Sequence, residues 1–186
     1  MTQIEPPAMD MPETDNRVAR LRGALRRLPG PVSLITSCDG AGEPAGMVAS
    51  AVIPVSMEPP SMLVSVNRDA SMHAIITGSG VFCINLLTIA QRAFVAPFSN
   101  HAQRDERFDT GNWRYEAGVP WLPDASACIF CDVRDTKLFG THELFIGEVG
   151  AVKGGNGSNL GEDRDGHLDA PLGWMEGDFA RFGTLD

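Results

Sequence analysis

Residues 46 to 64 combine side-chain types that could hold a flat ligand. A strand of small side chains, Gly46 to Ser50, leads through a Ser56-to-Pro60 corner into an apolar strand. Small side chains let a planar ring approach the backbone, whose N–H and C=O groups can recognise the edge of a heteroaromatic ring. The same composition suits a tight β-arch in which small residues serve packing alone. The residues by themselves leave both interpretations open.

A dinucleotide-binding fingerprint occurs just before this stretch but lacks its required context. Residues 40–45, Gly-Ala-Gly-Glu-Pro-Ala, fit the pattern with alanine in the third glycine position. The fingerprint needs a helix next, because the helix N-terminus holds the pyrophosphate. Residues 46–52 have the composition of another strand, so we interpret residues 40–45 as an ordinary turn.

Candidate metal ligands are also few. Cys128 and Cys131 resemble half of a zinc site, but residues three apart on a strand point to opposite faces, and no second pair follows at zinc spacing. The acidic loop at Asp163–Gly166 has its glycine and glutamate misplaced for a calcium loop. We therefore predict no metal site. The four histidines form no recognisable catalytic motif by order, and each has an ordinary surface or hydrogen-bonded role as its alternative.

Strand formers joined by short turns dominate the rest of the chain. An apolar stripe at Val18, Leu21, Leu25 and Leu28 predicts one short amphipathic helix, which the Pro29–Pro31 segment ends. Further predicted helices are 71–77 and 89–96, and predicted strands are 32–37, 47–55, 62–66, 81–87, 126–133 and 143–152. Residues 98–125 and 153–171 have the composition of irregular segments, and 174–182 form a short aromatic ending. This order predicts a mainly β fold, an antiparallel sheet closing into a barrel.

Size and charge exclude several classes of function. A chain of 186 residues suits one domain, which we place at 15–186 behind a flexible arm at 1–14. The net charge of −9 argues against nucleic-acid binding, although residues 16–28 hold five arginines and no acid. No apolar run approaches the ~20 residues of a membrane span. Four cysteines in apolar surroundings favour the reducing cytoplasm.

A series of motifs between about residues 17 and 152 resembles the short-chain flavin reductase family, the small reductase components of two-component flavin-dependent monooxygenases. Each motif alone is weak, but their order is specific. The motifs are Arg17 to Leu28, Val32 to Thr36, Gly46 to Ser50, Val55-Ser56-x-x-Pro59-Pro60, Asn67-Arg68-x-x-Ser71, Gly80 to Leu87, Arg107-Phe108, Cys131, and Gly140 to Val149. Pro31 stands where the family usually has glycine, and Thr141 where it usually has aspartate.

The resemblance implies a flavin-binding split β-barrel, usually a homodimer with flavin near the subunit interface. It implies hydride transfer from NADH or NADPH to FMN or FAD, and delivery of reduced flavin to a separate monooxygenase. The cofactor-binding residues it implies are Gly46, Met47, Val48, Ala49, Ser50, Pro60, Asn67, Arg68, Ser71 and Asn85. It implies that His142 lies near the nicotinamide as the catalytic residue.

Physical chemistry agrees with part of this assignment. An arginine and a helix N-terminus, as at Arg68 and Ser71, both favour the flavin phosphate, although Arg68 as an ordinary surface charge is the alternative. Asn85 lies in an apolar strand and needs a partner, either the flavin or the neighbouring strands. The ending at Leu172 to Phe179 differs from the family's more basic and aromatic one, which bears on nicotinamide or partner specificity.

Other functions remain open from the sequence. A non-catalytic flavin-binding module, such as a redox sensor, would retain flavin tightly and turn over no NADH. A pyridoxamine-phosphate-oxidase-like enzyme would need more basic residues around a small phosphate. A pure interaction domain would bind no flavin.

Overall fold

A computed structural model describes residues 14–154 and 170–183. The predicted arm at 1–14, apart from Thr14, lies outside the described residues, and so does most of the predicted loop at 153–171. Within the described part, no helix is long and apolar enough to cross a membrane.

The chain contains twelve strands and three α-helices in these two ranges. In chain order they are α1 (Thr14–Leu25), β1 (Gly30–Pro31), β2 (Ser33–Cys38), β3 (Pro44–Ala49), β4 (Val52–Met57), β5 (Pro60–Asn67), α2 (Ser71–Ser79), β6 (Val81–Leu86), α3 (Val95–Ser99), β7 (Arg114–Glu116), β8 (Val119–Trp121), β9 (Ala127–Phe139), β10 (His142–Gly154), β11 (Leu172–Met175) and β12 (Asp178–Arg181). Two 3-10 helices, Ile89–Phe94 and His101–Glu106, flank α3.

Seven strands form one antiparallel sheet in the order β3-β2-β6-β9-β10-β5-β4. The predicted mainly β, antiparallel fold is therefore confirmed. All seven strands contribute to one buried cluster, which includes Ile35, Val52, Val64, Phe82 and Phe145. Only two residues, Ser50 and Ala51, separate the two edge strands β3 and β4, so the sheet must curl to bring its edges together around this cluster, as in a barrel. Helix α2 packs against β2, β3 and β5.

The predicted strand at 47–55 is wrong, because the chain breaks it at Ser50 and Ala51 into β3 and β4. These two strands are the opposite edges of the sheet. The backbone N–H of Ser65 still donates to the Ala51 carbonyl at 3.3 Å, so the β4–β5 ladder continues up to the break. Pro54 fits this position, since proline is tolerated on an edge strand.

A second buried cluster lies outside the barrel, under the segments that follow β6. It includes Val32, Phe98, Trp121, Cys128 and Leu172. Cys128 belongs to this cluster and Cys131 to the barrel interior, so the predicted divergence of the two sulfurs is confirmed. The C-terminal hairpin, β11 with β12, pairs with β1 and closes this side.

The segment predicted to be irregular, 98–125, holds more structure than its composition indicates. It contains the end of α3, a 3-10 helix and the β7–β8 hairpin. The predicted helix at 89–96 is 3-10 up to Phe94, where α3 takes over, and Thr88 and Gln91 cap its start reciprocally. Strands β9 and β10 are longer than predicted and form a 13-residue by 13-residue hairpin.

Candidate functional site

A largely apolar pocket of about 860 Å³ opens beside the end of β3. Its floor, which we call the β3 wall, consists of Val48, Ala49 and Ser50. Three of the predicted cofactor-binding residues therefore lie together at one pocket. Its volume falls at the upper end of the ~300–1,000 Å³ typical of small-molecule sites, so it has room for more than one ring.

Small residues at a spacing of three form the second side of this pocket. Ala90, Ala93, Ala96 and Ser99 follow one another along the 3-10 helix and α3, and all four line the pocket. A spacing of three places side chains on one face of such a helix. The helix therefore presents a smooth surface to the ligand, which the sequence pattern could have shown.

The C-terminal hairpin supplies the third side with two aromatic rings and a cation. Trp174 and Phe179 line the pocket, and their ring centroids lie 5.3 Å apart in a T-shaped arrangement. The guanidinium of Arg92, from the 3-10 helix, lies 4.6 Å from the Phe179 centroid. Such cation–π contacts hold an arginine in place while its in-plane N–H groups stay available to an anion.

Gly46 and Met47 lie behind the pocket rather than in it. A Cβ at Gly46 would meet the Phe98 ring at 2.5 Å, so the ring covers this glycine. Met47 packs toward the barrel interior. The small residue at 46 thus serves close packing against Phe98, while Met47, on the opposite face of β3, packs against the barrel interior.

Arg107 ties the β3 backbone to α3. Its guanidinium donates to the Gly46 carbonyl at 2.8 Å and to the Pro97 carbonyl at 3.0 Å. Partial burial, and then the nearby Arg104 charge, lower the pKa of Arg107 from its ordinary value. Its guanidinium also lies 5.8 Å from the Phe98 ring centroid, so Arg107 joins β3 to α3 and positions the β3 wall.

The predicted phosphate-binding residues form a second, exposed group. Asn67 ends β5 and lies opposite His142 in the β5–β10 ladder. The Arg68 N–H donates to the Thr141 carbonyl at 3.0 Å, and Ser71 begins α2. Ala70 caps α2 with no side-chain hydrogen bond, and its first turn carries no acid. Asn67, Arg68 and Ser71 are thus brought together beside an open helix N-terminus, with His142 next to them. This arrangement suits a phosphate, and we call Asn67, Arg68 and Ser71 the phosphate-binding cluster.

The two groups lie at the same end of the barrel. Ala51 is hydrogen-bonded to Ser65, two residues before Asn67. At ~3.3 Å per residue and ~4.8 Å between strands, Ser50 and Asn67 lie on the order of 10 Å apart. A single elongated ligand can therefore reach from the β3 wall to the phosphate-binding cluster.

His142 is exposed and lies outside the pocket lining of this chain. Its Nδ1 lies 2.9 Å from the Thr141 hydroxyl, which stands where an aspartate was expected from the resemblance. A hydroxyl can orient the ring but adds no negative charge. The role of His142 near the nicotinamide stays a prediction.

A hydrogen-bonded pair of side chains supports the neighbouring end of β10. The His73 Nε2 and the Glu143 carboxylate lie 2.6 Å apart, both largely covered. A hydrogen bond from Thr136, and then the one from His73, hold the pKa of Glu143 below its ordinary value. This pair joins α2 to β10 and so stabilises the two elements that flank Arg68.

The assignment of Asn85 to cofactor binding is corrected by its surroundings. Its side chain is fully buried, with 0% exposure. Its amide nitrogen donates to the Leu34 carbonyl and the Thr36 hydroxyl, and its oxygen accepts from the Leu122 N–H at 2.8 Å. No surface of the amide remains for a ligand, so Asn85 joins β2, β6 and the segment after β8.

Pro60 is exposed at the start of β5, opposite Met57, and does not line the pocket. The peptide bond between Glu58 and Pro59 is cis. The corner turns the chain from β4 into β5, at the end of those strands away from Ser50. The structure of this chain therefore brings Pro60 to a different end of the barrel from the β3 wall.

Comparison with known proteins agrees with this arrangement. Residues 25–183 match the flavin reductase-like domain. The reductase component of an FADH2-dependent resorcinol hydroxylase from Rhizobium sp. (strain MTP-10005) is 41% identical over 130 residues, which are 69% of this chain and 73% of that protein. The FMN reductase (NADH) RutF of Variovorax paradoxus (strain S110) is 40% identical over 135 residues, 72% of this chain and 74% of the relative.

A solved structure shares the whole fold. The NADH:FAD oxidoreductase SgcE6 of Streptomyces globisporus C-1027, in complex with NAD and FAD fragments, superposes with a TM-score of 0.76 and 26% identity. The match covers 94% of this chain and 98% of that one.

Proposed function

This chain belongs to the flavin reductase-like family, and from that membership and the pocket beside β3 we infer that it is an NAD(P)H:flavin oxidoreductase. It uses a reduced nicotinamide to reduce FMN or FAD. Its relatives include a reductase component of a two-component hydroxylase, so the reduced flavin passes to a partner monooxygenase.

The observation that carries this function is the fit of the pocket to a flat, mostly apolar ring system. The β3 wall and the alanines at 90, 93 and 96 present small side chains on two sides. The phosphate-binding cluster, which consists of Asn67, Arg68 and Ser71, lies within reach of this pocket at the same end of the barrel. A flavin, with a flat tricyclic ring and a terminal phosphate on a flexible chain, matches both features.

The chemistry belongs to the two bound cofactors. When both are bound, they would supply hydride transfer from the dihydronicotinamide to the flavin, with a further proton from water. The protein residues bind and orient. Arg107 fixes the β3 backbone, the alanine face keeps water from one side of the ring, and Arg68 with the α2 N-terminus holds the phosphate. No protein nucleophile is needed.

The test is a steady-state assay with a matched pair of variants. The purified wild-type chain should oxidise NADH or NADPH only when free FMN or FAD is added. Ala93→Phe fills the pocket from an exposed position and should raise the KM for flavin at least tenfold. Ala102→Phe, an equally exposed alanine on the other 3-10 helix, should leave it unchanged.

Three results would contradict the proposal or part of it. Absence of flavin-dependent oxidation with either nicotinamide would remove the enzyme function. Tight retention of flavin on purification together with no turnover would instead indicate the non-catalytic flavin-binding module. Equal flavin KM values for Ala93→Phe and the wild type would move the site away from this pocket.

We also propose that two copies associate. The outer face of the edge strand β4 exposes Ile53, Val55 and Met57, the last with 76% exposure. The tip of the β9–β10 hairpin exposes Leu138 and Phe139, the latter with 80% exposure. Apolar area of this kind is typical of an interface. Sedimentation velocity should give a dimer, and a monomer at every concentration would refute this.

Reduced cysteines support a cytoplasmic location.

A further inference from the structure

One carboxylate lies beside the phosphate-binding cluster without belonging to it. Glu143 pairs with Val66 in the β5–β10 ladder, and Arg68 follows two residues after Val66. The N–H of Arg68 still donates to the Thr141 carbonyl at 3.0 Å, so the ladder continues up to this residue. Alternate residues of an extended chain share a face, and diagonal neighbours across an antiparallel pair lie about 7–8 Å apart. Glu143 therefore lies on the face from which the Arg68 side chain leaves, within reach of its charge.

Hydrogen bonds hold this carboxylate in place and favour its charged form. The Nε2 of His73 lies 2.6 Å from the carboxylate. A hydrogen bond from Thr136, then the one from His73, lower the pKa of Glu143, and the positive charge of Arg68 adds to this. The Glu143 side chain is only 19% exposed, so salt screens its charge less than that of a fully exposed acid. Glu143 is thus a fixed negative charge at the edge of the cluster.

Arg68 is not held by this carboxylate. The arginine is exposed and makes no ion pair with a carboxylate in the described part of the chain. Glu143 is instead engaged by side chains of α2 and β9. Asp69, the next acid along the chain, is exposed, so solvent and salt screen its charge. The net effect of Glu143 at the cluster is therefore repulsion of an anion that binds there.

Resting on the proposed function, we propose that the carboxylate of Glu143 weakens the hold of this chain on the flavin phosphate and so lets the reduced flavin leave. Arg68, Ser71 and the N-terminus of α2 attract the phosphate, and Glu143 opposes it. A reductase that passes its product to a separate oxygenase needs such weak binding, because a tightly held flavin would stay on the enzyme. Oxidised and reduced flavin carry the same phosphate, so the effect applies to both.

Riboflavin separates the role of the phosphate from that of the ring, because it is the same flavin without the phosphate. Glu143→Gln keeps the size of the side chain and an oxygen for the Thr136 hydroxyl but removes the charge. It should lower the Kd for FMN by about 3- to 10-fold, as expected for one charge at this distance in a partly solvated site. The Kd for riboflavin should stay within twofold of wild type. Equilibrium titration of flavin fluorescence at low salt measures both constants.

Two control variants isolate the charge. Glu148 lies farther along the same strand, with its carboxylate 2.8 Å from Arg134, and Glu148→Gln should change neither constant. Glu143→Asp keeps the charge but shortens the side chain, and it should leave the ratio of the two constants unchanged. In about 1 M NaCl the gain in Glu143→Gln should shrink to less than twofold, because salt screens charges but does not alter packing.

The reduced product is tested in the same way. Anaerobic titration with dithionite-reduced FMN, followed by tryptophan fluorescence, should show the same tightening in Glu143→Gln. Thermal unfolding shows that each variant is folded. Glu143→Thr is also neutral and suits a strand, so it carries the test where Glu143→Gln does not fold.

The outcomes distinguish this inference from the function on which it rests. Wild-type protein that binds neither FMN nor riboflavin removes the function itself. A wild type that reduces flavin, with equal FMN Kd values in Glu143→Gln and Glu148→Gln, removes only this inference. Weaker FMN binding in Glu143→Gln with riboflavin unchanged would make the carboxylate a support for Arg68 and overturn the proposal. Equal changes for both flavins would leave Glu143 with a purely structural role, and that result would also overturn it.

Discussion

Removing the Arg107 guanidinium should loosen the β3 wall without touching the pocket surface. In Arg107→Met the apolar stem remains, but the carbonyls of Gly46 and Pro97 lose their charged donor. A buried hydrogen bond to a charged group contributes about 1.5–3 kcal/mol, and partial exposure of the guanidinium reduces this to about 1–1.5 kcal/mol for each of the two bonds. We expect the free energy of unfolding to fall by about 2–3 kcal/mol in total.

This loss is measurable in two assays. In a chain of this size, each ~1 kcal/mol corresponds to about 2–4 °C in Tm, so Arg107→Met should melt about 4–12 °C lower. Fluorescence titration should show weaker flavin binding, because the Gly46 carbonyl lies just before Val48 and Ser50. Arg107→Lys keeps the charge but cannot donate to both carbonyls from a planar fork, and should fall between.

Arg104→Met is the matched control. Arg104 lies on the 3-10 helix that Arg107 directly follows, is half exposed, and its side chain reaches Asp105 at 4.0 Å. Its replacement should change stability by no more than about 0.5 kcal/mol. If Arg107→Met melts with the control and binds flavin like wild type, the reasoning that this arginine holds β3 in place is wrong.

Three further predictions concern the barrel. Gly147→Ala should cost about 1–3 kcal/mol in urea unfolding, because its Cβ would lie 2.7 Å from Cβ of Cys131, whereas Gly150→Ala, with a nearest atom at 3.4 Å, should be nearly neutral. The depressed pKa of Glu143 stabilises the fold above about pH 4.5, where the carboxyl of the unfolded chain titrates. This stabilisation is lost as the pH falls through the lower pKa of the folded state. Glu143→Gln should remove that part of the pH dependence of the free energy of unfolding. A thiol reagent followed by mass spectrometry should label half-buried Cys38 before Cys131, whose pKa burial raises to about 12; faster labelling of Cys131 would contradict its burial.

The sequence predicted most strands because β-branched and apolar residues cluster between turn residues. It missed the break at Ser50 and Ala51, because the residues on both sides are equally suited to a strand. What separates β3 from β4 is long-range pairing, with β2 on one side and β5 on the other. Such pairing overrides local propensity and leaves no mark in the local composition.

The site was predicted in part. The phosphate-binding cluster was predicted from motif residues that are neighbours in the chain, and the structure keeps Asn67, Arg68 and Ser71 together. The β3 wall was likewise contiguous. Arg92 and Trp174 were missed because they are 82 positions apart in the sequence, and only the docking of the C-terminal hairpin brings their segments to one pocket.

Asn85 shows the opposite limit. A polar residue inside an apolar strand signals that a partner exists, but the sequence cannot say which one. The structure supplies partners from two other parts of the chain itself, Leu34 and Thr36 on β2 and Leu122 after β8. A buried amide whose hydrogen bonds are all satisfied specifies how strands join. In the sequence it is a polar residue within an apolar strand, and an amide that binds a ligand looks the same.

The β9–β10 hairpin also bears on how the protein avoids aggregation. The ladder between β6 and β9 ends at Asp132, so residues 134–139 of β9 have β10 on one side and no strand on the other within the described chain. An open strand edge can template further sheet from another molecule. Arg134, Asp135 and Lys137 place charges along this open edge, and these charges disfavour such growth.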